Sequence, residues 1–74
     1  MKMRTLDEAK ADYRNTLPAK ERDKWHITTI DPEDRDEREQ LGYEVCKVKG
    51  KELTYGGDLM VRLPAKTYAA MLKG

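Results

Sequence analysis

The chain has 74 residues, of which 15 are Lys or Arg and 14 are Asp or Glu, giving a net charge of +1. Charged residues make up 39% and hydrophobic residues 38%, whereas ordinary domains contain about 25% and about 45–50%. A chain of this length forms one domain at most and buries only about 60% of its unfolded surface. The single cysteine excludes an internal disulfide, so we expect a partner to supply part of the stability.

The sequence contains no window with the run of about 18 apolar residues that a membrane helix requires. Its first residues also lack the apolar segment of a signal peptide. A lone thiol is typical of a reducing compartment. We therefore expect the protein to be made in a cytoplasm and to have no membrane partner.

Charge is distributed unevenly along the chain. Residues 1–30 carry a net charge of +2, residues 31–44 carry −5 and residues 45–74 carry +4. Such patterning is an indication of charged partners and of orientation rather than of fold.

The first predicted element is a helix that begins at Thr5. Thr5 and Glu8 fit a capping box, and Pro18 ends the helical pattern. One narrow apolar stripe has helical spacing, formed by Leu6, Ala9, Tyr13 and Leu17. Because a free helix of about 12 residues is marginal in water, this helix must dock on the rest of the chain or on another protein. We predict an N-terminal helical arm and linker at residues 1–24 and a separate module at residues 25–74.

The module opens with a predicted strand at Trp25–Ile30, rich in aromatic and β-branched residues. A helix follows, with Asp31 as N-cap, Pro32 in its first turn and Gly42 at its C-terminal cap. This helix has no large apolar residue, so it is either a solvated connector or a contact face for a basic partner. The second interpretation places the contact at three acidic residues, Glu33, Asp34 and Glu37.

Two further strands are predicted at residues 43–49 and 59–63, joined by a long polar connection over residues 51–58. Leu59, Val61 and Leu63 should face the core. Pro64 opens a last helix, whose apolar face comprises Tyr68, Ala69 and Leu72. The predicted fold is α+β, with about three strands, a polar helix and a C-terminal helix, preceded by the N-terminal helical arm.

The histidine, cysteine and acidic side chains do not form a catalytic or metal-binding motif. A nucleophilic pair of His26 and Cys46 would need adjacency in space and a third orienting group, and one such pair in 74 residues is a weak signal. The acidic run has no glycine-containing calcium loop, so we expect no catalytic residue, no metal and no cofactor. Lys47, Lys49 and Lys51 are predicted to share one face of a strand and its extension. They either bind phosphates or protect a sheet edge from aggregation, and the low net charge favours the second.

Several short segments between residues 25 and 72 occur in a distinctive order: Trp25, Asp31-Pro32-Glu33, Arg38, Leu41-Gly42-Tyr43-Glu44-Val45, Gly57-Asp58-Leu59-Met60-Val61-Arg62-Leu63-Pro64 and Tyr68. In this order they resemble segments of small tailed-bacteriophage virion proteins, which are head-associated or connector-associated accessory proteins. The resemblance implies a non-enzymatic phage structural protein that is located in the virion and made in the host bacterial cytoplasm.

Together with the small core, the resemblance predicts a capsid accessory, decoration or connector component that binds a large protein assembly and its own copies, with no small-molecule substrate. The predicted interface residues are Leu6, Ala9, Tyr13, Leu17, Trp25 and Tyr43. Two alternatives remain open. In the first, the chain is a small phage inhibitor of a host protein and acts through its acidic helix. In the second, it is a small nucleic-acid-binding protein that uses its lysines.

Overall fold

The computed structural model describes residues 4–73 and has an α+β fold, as the sequence predicts. The helices of this part of the chain are α1 (Leu6–Asn15), α2 (Arg35–Gln40) and α3 (Ala65–Leu72), with 3-10 segments at Ala19–Lys24 and Pro32–Asp34. Its strands are β1 (Trp25–Ile30), β2 (Glu44–Val45), β3 (Lys47–Val48), β4 (Lys51–Glu52), β5 (Thr54–Tyr55) and β6 (Asp58–Pro64).

Side-chain caps fix the start of α1 and the turn that leads into α2. The Thr5 hydroxyl oxygen accepts the Glu8 backbone N–H at 3.1 Å, and an Asp31 carboxylate oxygen accepts the Glu33 N–H at 3.0 Å. The second bond of the predicted capping box differs, because the Thr5 hydroxyl itself donates to the Glu8 carboxylate at 3.2 Å. Gly42 ends α2 at φ 105°, the left-handed conformation expected of that cap.

The predicted linker after α1 is tied to the helix by Arg22. Its Nε donates to the carbonyl oxygens of Arg14 and Leu17, each at 3.2 Å, which satisfies acceptors that the helix end leaves free. The 3-10 segment therefore folds back against the C-terminal end of α1.

Strand β6 is the centre of the sheet. β1 pairs with it in antiparallel register from Trp25 opposite Pro64 to Ile30 opposite Leu59. On its other edge, β2 pairs with the second half of β6 and β5 with the first half. Between β2 and β5 the chain leaves the sheet as the β3–β4 hairpin.

The prediction of one long connection over residues 51–58 is wrong, because that stretch contains β4 and β5. Each hairpin closes with two residues in the left-handed region: Lys49 and Gly50 at φ 54° and 81°, and Gly56 and Gly57 at φ 58° and 91°. Positive φ at both central positions gives the turn twist that suits antiparallel strands. The predicted strand 43–49 is likewise interrupted, at Cys46.

Both faces of β6 are buried. Leu59, Val61 and Leu63 are buried as predicted, and Met60 between them is buried on the opposite face. On this second face Met60 forms a buried cluster with Ile27, Cys46 and Tyr13, and Tyr13 is only 3% exposed. Because Tyr13 lies on α1, the core draws on both predicted segments, 1–24 and 25–74. Their independence as folding units stays a prediction.

The last helix is covered only over its first half. Tyr68 stacks on His26 of β1, with ring centroids 3.6 Å apart and planes 9° from parallel. By contrast Ala69 is exposed, Met71 is 42% exposed and Leu72 is 70% exposed. The predicted apolar face therefore divides into a covered part at Tyr68 and an uncovered part towards the helix end.

Candidate functional site

Arg62 lies where charged and aromatic side chains from several elements of the fold converge. Its guanidinium carbon is 3.9 Å from the Trp25 ring centroid, close enough for a cation–π interaction. Its Nη1 donates to the Tyr13 hydroxyl oxygen at 3.0 Å, and its Nη2 lies 3.6 Å from a Glu44 carboxylate oxygen. The side chain thereby joins α1, β1, β2 and β6.

The backbone register explains this convergence. Arg62 is opposite Ile27 of β1 and Glu44 of β2, and residues opposite each other share one face of the sheet. Trp25, two residues from Ile27 along β1, is on that same face. α1 covers this face and brings the Tyr13 hydroxyl to the guanidinium.

Arg62 is only partly satisfied by these partners. Its side chain is 24% exposed, while its Nε is buried and has no hydrogen-bond acceptor within residues 4–73. The 3.6 Å separation from Glu44 is longer than a hydrogen bond. Burial is the main cause that raises the pKa of Tyr13 above its usual 10, so its hydroxyl is neutral and accepts from Arg62 without cancelling the positive charge.

A cleft of about 850 Å³ opens beside Arg62. One wall is the end of α1, the other is α2, and the floor is formed by β2, β3 and Arg62. Its lining residues are Tyr13, Thr16, Leu17, Arg35, Glu39, Tyr43, Glu44, Val45, Lys47, Val48, Lys49 and Arg62. Four of these are basic and two are acidic, so the lining has a net positive charge.

Arg35 holds the α2 wall of this cleft in place. Its Nε bonds Glu39 at 3.0 Å, and its Nη1 and Nη2 contact the two Glu52 carboxylate oxygens at 3.3 and 2.7 Å. These bonds, first with Glu39 and then with Glu52, raise the pKa of Arg35 above its ordinary value. The bidentate pair joins the acidic helix to the β3–β4 hairpin.

The residues predicted to form an interface with another protein pack, at least in part, against other residues of their own chain. Tyr13 is buried in the core, and Ala9, Leu17 and Trp25 are half-buried against it. Leu6 and Tyr43 are also half-buried. Contact of these six residues with another protein stays a prediction, and any such contact would use only the exposed parts of their side chains.

The predicted acidic contact residues are all at the surface. Glu33, Asp34 and Glu37 are exposed, and within residues 4–73 their carboxylates form no ion pair or hydrogen bond. Asp36 of α2 is exposed in the same way. The fold thus leaves a group of free carboxylates on α2 and on the 3-10 segment Pro32–Asp34 that precedes it.

The prediction that Lys47, Lys49 and Lys51 share one face is wrong. Lys47 is opposite Glu52 and Lys51 is opposite Val48, so Lys47 and Lys51 are on opposite faces of the hairpin. The turn at Lys49 and Gly50 reverses the chain and causes the change of face. Only Lys47 and Lys49 reach the cleft.

His26 and Cys46 do not form a pair. His26 is opposite Leu63, whereas the Cys46 N–H donates to the Met60 carbonyl oxygen at 2.8 Å, which places the two side chains on opposite faces of the sheet. Cys46 is fully buried, and burial raises the pKa of its thiol to about 11. A thiol of this kind is protonated at neutral pH and is a poor nucleophile.

Comparison with protein-family models, with curated proteins and with solved structures gave no significant match. Across residues 4–73 no group of three or more His, Cys, Asp or Glu side chains could hold a metal ion. None of the helices in this range is long and apolar enough to cross a membrane.

Proposed function

We propose that the chain is a non-enzymatic structural protein of a tailed-phage virion, a head-associated accessory or connector component that binds a larger protein assembly. The observation that carries the proposal is the convergence at Arg62. The segments of the phage resemblance lie apart in sequence, but two of their strands, β1 and β2, both pair with β6, and Arg62 of β6 contacts Trp25 and lies 3.6 Å from Glu44. One local structure therefore accounts for the co-occurrence of these motifs.

The surface supports a role in assembly. The buried hydrophobic residues within residues 4–73 are few: Tyr13, Ile27, Cys46, Leu59, Met60, Val61 and Leu63. At the same time Leu41, Met71 and Leu72 are exposed, with Leu72 at 70%. A small core combined with exposed large apolar side chains favours a protein that gains stability by binding another protein.

Quantitative mass spectrometry of gradient-purified particles from the source tests this function. We expect the protein at a fixed ratio to the major capsid or portal protein in every fraction of the particle peak. A matched sample of uninfected host lysate, carried through the same gradient, controls for contaminants. Absence of the protein from particles, with abundant protein in the infected lysate, would contradict the proposal.

The free carboxylates of α2 and of the 3-10 segment before it favour a second candidate, a small phage inhibitor that presents Glu33, Asp34 and Glu37 to a basic surface of a host protein. It predicts one specific host protein in pull-downs from infected cells. Reversing the three charges should abolish that capture, because within residues 4–73 these carboxylates form no ion pair and are available to a partner. If the charge-reversed protein captured the same host protein equally well, this candidate would be eliminated.

A further inference from the structure

The cleft beside Arg62 has cations that the fold leaves available. Lys47 and Lys49 are exposed, and neither forms an ion pair in the part of the chain that the structure describes. Arg62 at the floor is separated by 3.6 Å from Glu44, its one acidic partner there. Arg35 differs, since Glu39 and Glu52 already occupy its guanidinium. The cleft therefore has two free cations at its rim and a partly satisfied one at its base.

The lining favours a protein segment over a nucleic acid. Glu39 and Glu44 line the same cleft, and Glu52 borders it through its pair with Arg35. A duplex carries one negative charge about every 1.7 Å along its axis, so a phosphate backbone crossing the cleft would meet these carboxylates. A segment with one or two well-placed carboxylates can contact the cations and avoid the acids.

The chain itself carries such a segment. We define the acidic face as the free carboxylates of Glu33, Asp34, Asp36 and Glu37. Arg35 and Glu39 are on the side of α2 that lines the cleft, whereas Glu37 is about 200° around an ideal helix from Arg35. None of the four acidic residues lines the cleft of its own chain, so the acidic face of one copy is free to enter the cleft of another.

We propose that the cleft of one copy binds the acidic face of a second copy, with Asp34 and Glu37 of the second pairing with Lys47, Lys49 and Arg62 of the first. The two surfaces lie on different sides of α2, so the contact is head-to-tail and yields a closed ring or an open string of subunits. The inference rests on the proposed function and names a partner for it, a second copy of this chain. Opposite charges on the two surfaces give the contact its orientation.

Sedimentation velocity over a range of protein concentrations tests the contact. We expect the wild type to self-associate at about 50 mM NaCl and to dissociate at least about tenfold more readily at about 500 mM, because salt screens exposed charges. The variant K47E/K49E should stay monomeric. The variant K20E/K24E undergoes the same change in net charge at exposed positions outside the cleft and should associate like the wild type.

A charge swap makes the test independent of folding defects. The variant D34K/E37K should also be monomeric alone, since its cleft and its helix surface then have the same sign. Mixed with K47E/K49E, it should form alternating complexes, because each variant complements both surfaces of the other. Restored association in the mixture supports the contact. A wild type that stays monomeric, equal loss in K20E/K24E or a mixture that stays monomeric would overturn it.

Failure of this inference can be distinguished from failure of the proposed function. If the wild type stayed monomeric in sedimentation but was present in particles at a fixed ratio, the second-copy contact would be wrong and the structural role would stand. If the protein self-associated as described but was absent from particles, the contact would stand and the structural role would be wrong.

Discussion

The substitution Tyr13→Ala should remove a large part of the stability of the protein. Tyr13 is 3% exposed, contacts Ile27, Cys46 and Met60 in the core, and accepts a hydrogen bond from Arg62. Truncating a buried aromatic side chain costs about 3–5 kcal/mol, whereas the whole free energy of unfolding of a chain of this length is about 4–11 kcal/mol. Tyr13→Phe keeps the ring and removes only the hydroxyl, so it should cost about 1–2 kcal/mol.

Urea denaturation followed by the fluorescence of Trp25 measures both effects, because Trp25 packs against the core and under Arg62. Asn15→Ala, at an exposed position of the same helix, serves as the control and should change stability by less than about 0.5 kcal/mol. If Tyr13→Ala cost less than about 1 kcal/mol, α1 would not belong to the core, and an independent arm at residues 1–24 would be the better description.

The remaining predictions concern single residues. The buried Cys46 thiol, with its pKa raised to about 11, should resist iodoacetamide in the folded protein at neutral pH and react at once in denaturant. Burial first, and then the charges of Lys10 and Arg14, lower the pKa of His26 below 6.5, so its contribution to stability is present above pH 6.5 and is lost as the pH falls through the folded-state pKa. Urea midpoints should therefore fall on acidification, and less so in His26→Gln. Gly57→Ala should cost about 1–2 kcal/mol of unfolding free energy, and Gly57→Asn less, because the strain at φ 91° is in the backbone and the space around it is open.

Local signals in the sequence correctly predicted the start of α1, the first strand and the entry to α2. Thr5 and Asp31 each accept a backbone N–H at a helix start, and Trp25–Ile30 forms the predicted strand. Leu59, Val61 and Leu63 are buried as their alternation indicates. These features depend on side chains within a few residues of one another, which is the range over which a sequence pattern is informative.

Two hairpins among the strands were not predicted, and only the first lacked a local signal. The β3–β4 hairpin requires a positive φ at Lys49, a conformation that a lysine adopts rarely, so its position in a two-residue turn was not evident. The second turn did have a signal, since Gly56-Gly57 between two strands is a hairpin pattern. The strand before it, β5, is only two residues long, however, and is too short to be recognised from its sequence.

The candidate site depends on contacts between distant parts of the chain. Arg62 contacts Tyr13, 49 residues earlier, and no spacing rule connects the two. One signal was present: an arginine between two apolar residues of a strand must find partners if both faces of that strand are buried. Burial of both faces became evident only from the structure, because it requires α1 to pack on the sheet.

The stoichiometry of the protein in purified particles tests the central claim most directly. Mass spectrometry with isotope-labelled standards should find this chain at a constant ratio to the major capsid or portal protein across the particle peak. A ratio that varies between fractions and falls to the level of host contaminants would contradict a structural role in the virion.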